Sequence, residues 1–194
     1  MIKTIICEGR SEYNYIQLLN RLFRQQHHPA QAFKPVDAGG GFYFQVKRKL
    51  KEVRAENRRG DYRIWVDKDL YARNERQSST ALHRGNLGEL FLFSVMNFED
   101  FLVMHCADET LNYWIERCAE LRKGLGSDIL SSKEYLPAFL KLFPKYQKGV
   151  IPIEINPESL ELCFRRHSDP AVPLKNDFAG YLMSLLELGE LVYK

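Results

Sequence analysis

The sequence lacks features that would place it at once in several common classes of protein. Its four cysteines form no Cys-x-x-Cys pair and have no histidine at zinc-finger spacing, which predicts buried, reduced thiols instead of a zinc site. No stretch approaches the roughly 20 apolar residues of a membrane span, and no signal-peptide pattern is present. There is no Gly-x-Gly-x-x-Gly fingerprint and no Walker loop. We therefore expect a cytoplasmic protein without membrane contact, in which any ATPase activity belongs to another chain.

The composition is that of an ordinary globular chain. With 194 residues, of which 45% are apolar and 27% charged, the chain is long enough to bury a substantial core. The formal net charge of +3 is too small to identify a nucleic-acid partner by itself. The distribution of the charges is therefore more informative than their sum.

The order of the predicted elements indicates an α/β fold. Runs typical of β-strands lie at residues 3–7, 33–36, 62–66 and 90–95. Helical patterns follow the first and second strands, and this order implies parallel pairing with right-handed crossovers. We expect a Rossmann-like three-layer fold with a mostly parallel central sheet over residues 1–110. A mostly helical elaboration over residues 111–194 is expected to pack on that core as one compact unit.

The second half of the sequence carries several local signals for helices. A short helix is predicted over 98–106 after Asn97, and a capping box at 131–134 introduces a helix that ends before Pro144. Residues 151–155 are predicted to form a late edge strand. Another helix is expected to begin at Pro157, and an apolar C-terminal helix is suited to packing or to formation of a homodimer.

Three carboxylates directly follow two of the predicted strands. Glu8 comes after the first strand, and Asp67 and Asp69 come after the third. Side chains at the carboxyl ends of parallel strands converge on the crevice where open α/β sheets bind ligands. Oxygen donors without a cluster of histidine or cysteine favour Mg²⁺ or Mn²⁺ over zinc. The alternative is that these acids are solvated loop residues, because acids are common at strand ends.

The residues around these acids resemble the Toprim domain, the metal-binding module of topoisomerases, primases and OLD-type nucleases. Within that superfamily the chain is most similar to the small RloB-like proteins found beside restriction and phage-defence systems. The resemblance lies in four segments, in order, at residues 7–15, 66–69, 97–105 and 143–149. One departure is Val95-Met96-Asn97, which stands where Asn-Pro often precedes the Phe-Glu element of that family.

The resemblance implies a metal-dependent nuclease and suggests roles for the residues in its segments. Asp67 and Asp69 would hold Mg²⁺ or Mn²⁺, with Glu8 as a further ligand or as general base. The other catalytic candidates are Glu12, Glu99, His105, Lys145 and Lys148. Arg10 and Tyr146 are candidates for contact with nucleic-acid phosphates. From the sequence alone, Glu99 also fits a helix first turn, and His105 also fits a histidine at the edge of the core.

A cationic segment precedes the third predicted strand. Residues 47–63 contain eight lysines and arginines against three acids, and Val46, Leu50 and Val53 recur at helical spacing. The charges would therefore form the outer face of an amphipathic helix, which is either simply solvated or a phosphate-binding surface. The candidates for contact with nucleic acid on this face are Lys47, Lys51, Arg54 and Arg58.

The sequence leaves two classes of function open. The first is a metal-dependent phosphodiesterase acting on DNA or RNA, in a phage-defence or restriction-associated system. The second is a non-catalytic regulatory subunit that binds nucleic acid or a nucleotide within a defence complex containing a separate ATPase. A structural domain with incidental acids is a third alternative. The polar segment 70–88 follows the acids, and we expect it to form a mobile flap over substrate.

Overall fold

The structure is a computed structural model that describes residues 3–25, 33–40, 43–68, 88–95, 97–127 and 130–187. Its four strands are β1 (Lys3–Cys7), β2 (Phe33–Asp37), β3 (Asp61–Asp67) and β4 (Phe91–Ser94). Helix α1 (Arg10–Gln25) lies between β1 and β2, and helix α2 (Tyr43–Glu56) lies between β2 and β3. A short 3₁₀ turn, Gly88–Leu90, precedes β4. The predicted flap therefore lies outside the described residues, except for Gly88.

The four strands form one sheet in the order β2-β1-β3-β4, and every neighbouring pair is parallel. The α/β fold with a parallel central sheet is therefore confirmed, and its layering is Rossmann-like. From β1 the chain first adds β2 on one side and then crosses to β3 on the other side. This reversal makes the gap between β1 and β3 the topological switch point, where ligands bind in open α/β sheets.

Both faces of the sheet are covered, as expected for parallel strands. All five residues of β1 are buried, and alternate side chains point to opposite faces. Ile5 lies in the larger core, with α1 and the C-terminal helices. Ile6 lies in a smaller core against the inner face of α2, where Val46, Leu50 and Val53 are buried. The apolar spacing of α2 therefore predicted its buried face correctly.

Five further helices follow β4. They are α3 (Phe98–Val103), α4 (Asp108–Leu125), α5 (Ser132–Leu142), α6 (Pro157–Ser168) and α7 (Asp177–Glu187). The predicted caps are confirmed: Asn97 Oδ1 accepts a hydrogen bond from Asp100 N at 2.9 Å, and Ser131 forms a capping box with Glu134. Asn156 caps α6, whose first residue is Pro157. None of the described helices is long and apolar enough to cross a membrane.

The C-terminal helices pack directly on the sheet. The Trp65 ring of β3 stacks on the Phe178 ring of α7, with centroids 4.1 Å apart and an interplanar angle of 9°. The Tyr15 ring of α1 packs edge to face against the Phe101 ring of α3, with ring centroids 4.9 Å apart. These contacts belong to one continuous apolar cluster. The sheet therefore depends on both halves of the sequence for its cover.

The predicted edge strand over 151–155 is wrong, because these residues have no regular secondary structure. Ile151, Ile153 and Ile155 pack against the larger core, so their alternation reflects burial of one side of an extended segment. At one sheet edge, Ser94 of β4 already bridges Asn176. The other edge strand, β2, contains Pro35, which has no backbone N–H to donate.

Smaller differences concern ends and burial. Helix α3 stops at Val103 instead of continuing to residue 106, and α2 stops at Glu56, so Arg58 lies in the turn after it. All four cysteines have free thiols. Cys106 is only half-buried, whereas the other three are buried as expected.

Candidate functional site

Two of the predicted acids stand side by side at the switch point. Glu8 directly follows β1, and Asp67 is the last residue of β3. The Glu8 Oε2 atom accepts a hydrogen bond from Asp67 N at 2.8 Å, and Glu8 N donates to the Trp65 carbonyl at 2.9 Å. The parallel pairing of β1 with β3 thus brings together residues that are 59 positions apart.

A cavity of about 60 Å³ opens beside these two acids. Its lining residues are Glu8, Gly9, Arg10, Ser11, Glu12, Asp67, Phe98, Glu99, Tyr135 and Lys148. The volume has room for about two water molecules, or for an ion, but not for a nucleotide. We call this cavity the switch-point pocket.

Glu12 is the most perturbed acid of the switch-point pocket. It lies in the first turn of α1 with 4% of its surface exposed, and its Oε2 atom accepts a hydrogen bond from Gly9 N at 3.2 Å. Burial raises the pKa of Glu12 to about 8, with a further contribution from the negative charge of Glu8. Glu12 is therefore protonated at neutral pH when no cation compensates the pocket's negative charge.

Glu99 forms another wall of the pocket, and both of its carboxylate oxygens are engaged. Tyr135 of α5 donates its hydroxyl to Oε2 at 2.8 Å, and Tyr146 donates to Oε1 at 2.7 Å. Burial and the adjacent Glu99 charge raise the pKa of both phenols, so they remain donors. These bonds attach α3 to α5 and to the turn that follows it.

That turn brings one cation to the pocket. Gly149 N donates to Ser11 Oγ at 3.1 Å, and the Asn14 side chain donates to the Gly149 carbonyl. The φ angle of Gly149 is +91°, a backbone conformation that suits glycine. Both contacts hold the turn on α1, and Lys148 consequently lines the pocket. Lys145 is exposed and does not line it.

Arg10 supplies the second cation at the pocket. Its Nε atom lies 3.0 Å from Asp37 Oδ2 at the end of β2, and its guanidinium lies 5.6 Å from the centre of the Tyr13 ring. Asp37 is fixed in turn, since its Oδ1 atom accepts a hydrogen bond from Gly39 N at 2.8 Å. The Arg10 side chain is 70% exposed, so it remains accessible from solvent.

His105 is not part of the pocket. It is 4% exposed, its Nδ1 atom lies 3.0 Å from the Ser159 carbonyl, and its Nε2 atom lies 3.1 Å from the Tyr15 hydroxyl. Because a carbonyl only accepts, Nδ1 carries the proton and Nε2 accepts from the phenol. Burial lowers the pKa of His105 to about 3, which keeps the ring neutral. This placement matches a core histidine, the alternative that the sequence left open.

The structure brings six of the sequence-predicted residues together in the pocket. They are Glu8, Arg10, Glu12, Asp67, Glu99 and Lys148. Tyr146 contributes from behind, through Glu99. Asp69 lies outside the described residues. Sequence reasoning missed Tyr135 and Asp37, which have no motif of their own; the position of Asp37 at the end of a predicted strand was the only available signal.

The donor chemistry of the pocket fits a hard divalent cation. Mg²⁺ commonly uses only one or two protein carboxylates, together with water and substrate phosphate. Glu8 and Asp67 can supply these, and Glu12 lines the same pocket. Among the described residues, however, no group of three or more acidic, histidine or cysteine side chains is already arranged around one point.

The predicted nucleic-acid contacts of α2 lie on its exposed side. Lys47, Lys51 and Arg54 border a second cavity of about 500 Å³, and Arg58 is exposed in the following turn. This second cavity is distinct from the switch-point pocket, with which it shares no lining residue.

Comparison of the chain with protein-family models, curated proteins and solved structures found no match. The resemblance to Toprim domains and RloB-like proteins therefore rests on the four sequence segments and stays a prediction.

Proposed function

We propose that this protein is a metal-dependent phosphodiesterase that hydrolyses DNA or RNA. The observation that carries the proposal is the position of Glu8 and Asp67 at the switch point, where Asp67 N donates a hydrogen bond to the Glu8 carboxylate. The buried Glu12 lines the same pocket. Ligands of open α/β sheets bind at this position. The Toprim resemblance, and through it a role in phage defence or restriction, supports the same proposal.

In this proposal each acid of the pocket has its own task. Glu8 and Asp67, with Asp69, would hold Mg²⁺ or Mn²⁺, and that ion supplies Lewis-acid polarisation of a phosphoryl oxygen. Glu12 lines the same pocket, where it would be a further oxygen ligand or would orient Arg10. Glu99, whose oxygens both accept from tyrosines, shapes the wall of the pocket.

Two cations would contact the substrate phosphate. Lys148 lines the pocket, and Arg10 lies at its mouth with most of its side chain exposed. Cations fixed in advance stabilise the charge that develops on phosphoryl oxygens in the transition state. Lys145, three residues before Lys148 and exposed, would contact a more distant phosphate.

The experiment is cleavage of supercoiled plasmid, single-stranded DNA and single-stranded RNA by the full chain, with Mg²⁺, Mn²⁺ or EDTA. We expect metal-dependent cleavage that Glu8→Gln lowers by at least about 100-fold, because the loss of one charged ligand or base removes a large electrostatic contribution. Glutamine can still accept the hydrogen bond from Asp67 N, so the fold is retained.

The matched control is Glu161→Gln, the same chemical change at an exposed position on α6. Its cleavage rate should stay within about twofold of the wild-type rate, because surface substitutions remote from a site have small effects. Cleavage that persists in EDTA, or that Glu8→Gln does not change, would refute the proposal.

One observation favours the alternative of a regulatory subunit. The sequence contains no Walker loop, so any ATPase of a defence complex would be another chain. In that case the purified chain would bind nucleic acid without cleaving it, as a homodimer or together with a separate ATPase. Metal-dependent binding of nucleic acid without cleavage would favour this alternative over the phosphodiesterase.

A further inference from the structure

The exposed side of α2 carries a groove that the proposed chemistry does not use. Its volume is about 500 Å³, within the usual range for sites that take small organic groups. The lining residues are Phe44, Lys47, Arg48, Leu50, Lys51 and Arg54. The groove therefore combines apolar surface with several positive charges. We call it the α2 groove.

Three of its cations form a straight row. Lys47, Lys51 and Arg54 are separated by four and three residues, the spacing that places side chains on one face of a helix. Seven residues of α-helix rise about 10 Å, so the row spans more than one phosphate of a nucleic-acid strand. All three side chains are exposed.

The acids of α2 are already paired with other cations. Glu52 lies 2.8 Å from Lys49 and 3.7 Å from Arg48, and Glu56 lies 3.5 Å from Lys34. Within the part of the chain that the structure describes, no ion pair involves a cation of the row. The row therefore keeps its positive charge for an external anion.

The apolar part of the groove indicates what kind of anion fits. Phe44 is 63% exposed beside the row, and Leu50 lies at the base of the groove. Proteins that bind single strands combine cations for the phosphates with aromatic side chains on which unpaired bases stack. A duplex keeps its bases stacked inside, so it offers no unpaired base to an exposed aromatic ring.

We propose that the α2 groove binds single-stranded nucleic acid, with phosphates along the row and an unpaired base against Phe44. The inference deepens the proposed function and rests on it for the link to cleavage. Gly40 N donates to the Glu8 carbonyl at 3.0 Å, and Phe44 lies four positions after Gly40. Their Cα atoms are thus at most about 15 Å apart, and a strand in the groove would end near the switch-point pocket.

The test is fluorescence anisotropy of the full chain with a labelled single-stranded 20-mer and with the corresponding duplex, in EDTA. Binding is then measured apart from cleavage. We expect the single strand to bind at least about tenfold more tightly than the duplex. Three phosphate contacts predict roughly 20-fold weaker binding of the single strand between 50 and 200 mM salt.

Two sets of variants distinguish the effect of the cations in the row from the effect of the chain's overall positive charge. Lys47→Gln with Lys51→Gln should weaken binding of the single strand at least about tenfold and reduce its salt dependence. Phe44→Ala should weaken it about tenfold with the salt dependence unchanged. The control is Lys34→Gln with Lys49→Gln, which removes the same charge from residues that do not line the groove and that are paired with Glu56 and Glu52.

The inference would be overturned if the row and control variants lost equal affinity for the single strand. It would also be overturned if the duplex bound as tightly as the single strand. Tight binding of a mononucleotide without binding of the 20-mer would overturn it too. Binding that follows the expected pattern, in a protein that cleaves nothing, would support the α2 groove and refute the phosphodiesterase.

Discussion

At the scale of single residues, the Glu99 carboxylate is the clearest example of a buried charge that depends on its partners. Tyr135→Phe keeps the ring and removes the hydroxyl that donates to Glu99 at 2.8 Å. We expect this change to lower the free energy of unfolding by about 1–3 kcal/mol, because a buried acceptor loses its donor. Urea denaturation measures the change.

The control for this prediction is Tyr113→Phe on α4. Tyr113 is 38% exposed, so the loss of its hydroxyl should change the free energy of unfolding by less than about 0.5 kcal/mol. Equal effects of the two substitutions would show that the tyrosine contact with Glu99 contributes nothing specific.

His105 gives a prediction on pH. Its folded pKa of about 3 lies below its unfolded value of 6.5, so the neutral ring contributes stability above pH 6.5. That contribution is lost as the pH falls from 6.5 towards 3, by about 2 kcal/mol at pH 5. His105→Gln should remove this part of the pH dependence, as read from urea denaturation at pH 5 and pH 7.

The same variant distinguishes a core histidine from a catalytic one. We expect His105→Gln to lower the free energy of unfolding and to leave the cleavage rate of the folded protein within about threefold. Loss of cleavage with unchanged stability would contradict the structural role that its contacts with Tyr15 and Ser159 indicate.

The residues of the pocket differ in how far the sequence could predict them. Glu8 and Asp67 were predictable, because a carboxylate directly after a buried strand must lie at the carboxyl edge of the sheet. Tyr135 was not, because its contact with Glu99 depends on how α5 packs against α3. For His105 the sequence left two interpretations open, since the direction of its side chain in the turn after α3 is known only from the packing.

At the scale of elements, the turn that carries Lys148 is held by the backbone of Gly149. Gly149→Ala places a side chain at φ +91° and within 3.3 Å of the Arg10 Cβ atom. We expect a loss of about 1–2 kcal/mol in the free energy of unfolding, the cost of a left-handed backbone with a side chain. Because Lys148 is adjacent, the KM for cleavage should also rise, which steady-state kinetics would show.

Gly124→Ala is the matched control on α4. A Cβ atom there meets no other atom within 4 Å, and alanine favours a helix over glycine by about 0.5–1 kcal/mol. This variant should therefore be more stable than the natural chain and unchanged in KM. A Gly149→Ala protein with unchanged stability and KM would refute the role given to the turn.

Elements with strong local signals were predicted well, and an element that depended on a neighbour was not. Asn97 and Ser131 cap their helices as predicted, since a cap is a local hydrogen bond. Residues 151–155 show the alternation typical of a strand, but they pair with no strand of the described sheet. A segment becomes a strand only where a sheet edge is available to accept its hydrogen bonds. Alternation reports which side chains are buried and cannot show whether a partner strand exists.

At the scale of the whole molecule, the switch-point pocket is assembled from distant parts of the chain. Five of its lining residues come from the ends of two strands (Glu8 and Asp67), from two helices (Glu99 and Tyr135) and from a turn (Lys148). The sheet order places the first two, and the continuous core beneath Trp65 and Phe178 holds the helices that supply the others. The strand–helix order predicted the sheet, whereas the packing of the C-terminal helices had no counterpart in the sequence pattern.

The measurement that tests the central claim most directly is calorimetric titration of the full chain with Mn²⁺, without nucleic acid. Wild-type protein and Glu161→Gln should bind the ion with equal affinity. Glu8→Gln and Asp67→Asn should each bind it at least about tenfold more weakly, because each removes a charged oxygen donor. Equal affinity in all four proteins, or no binding in any of them, would contradict the assignment of the switch-point pocket as a metal site.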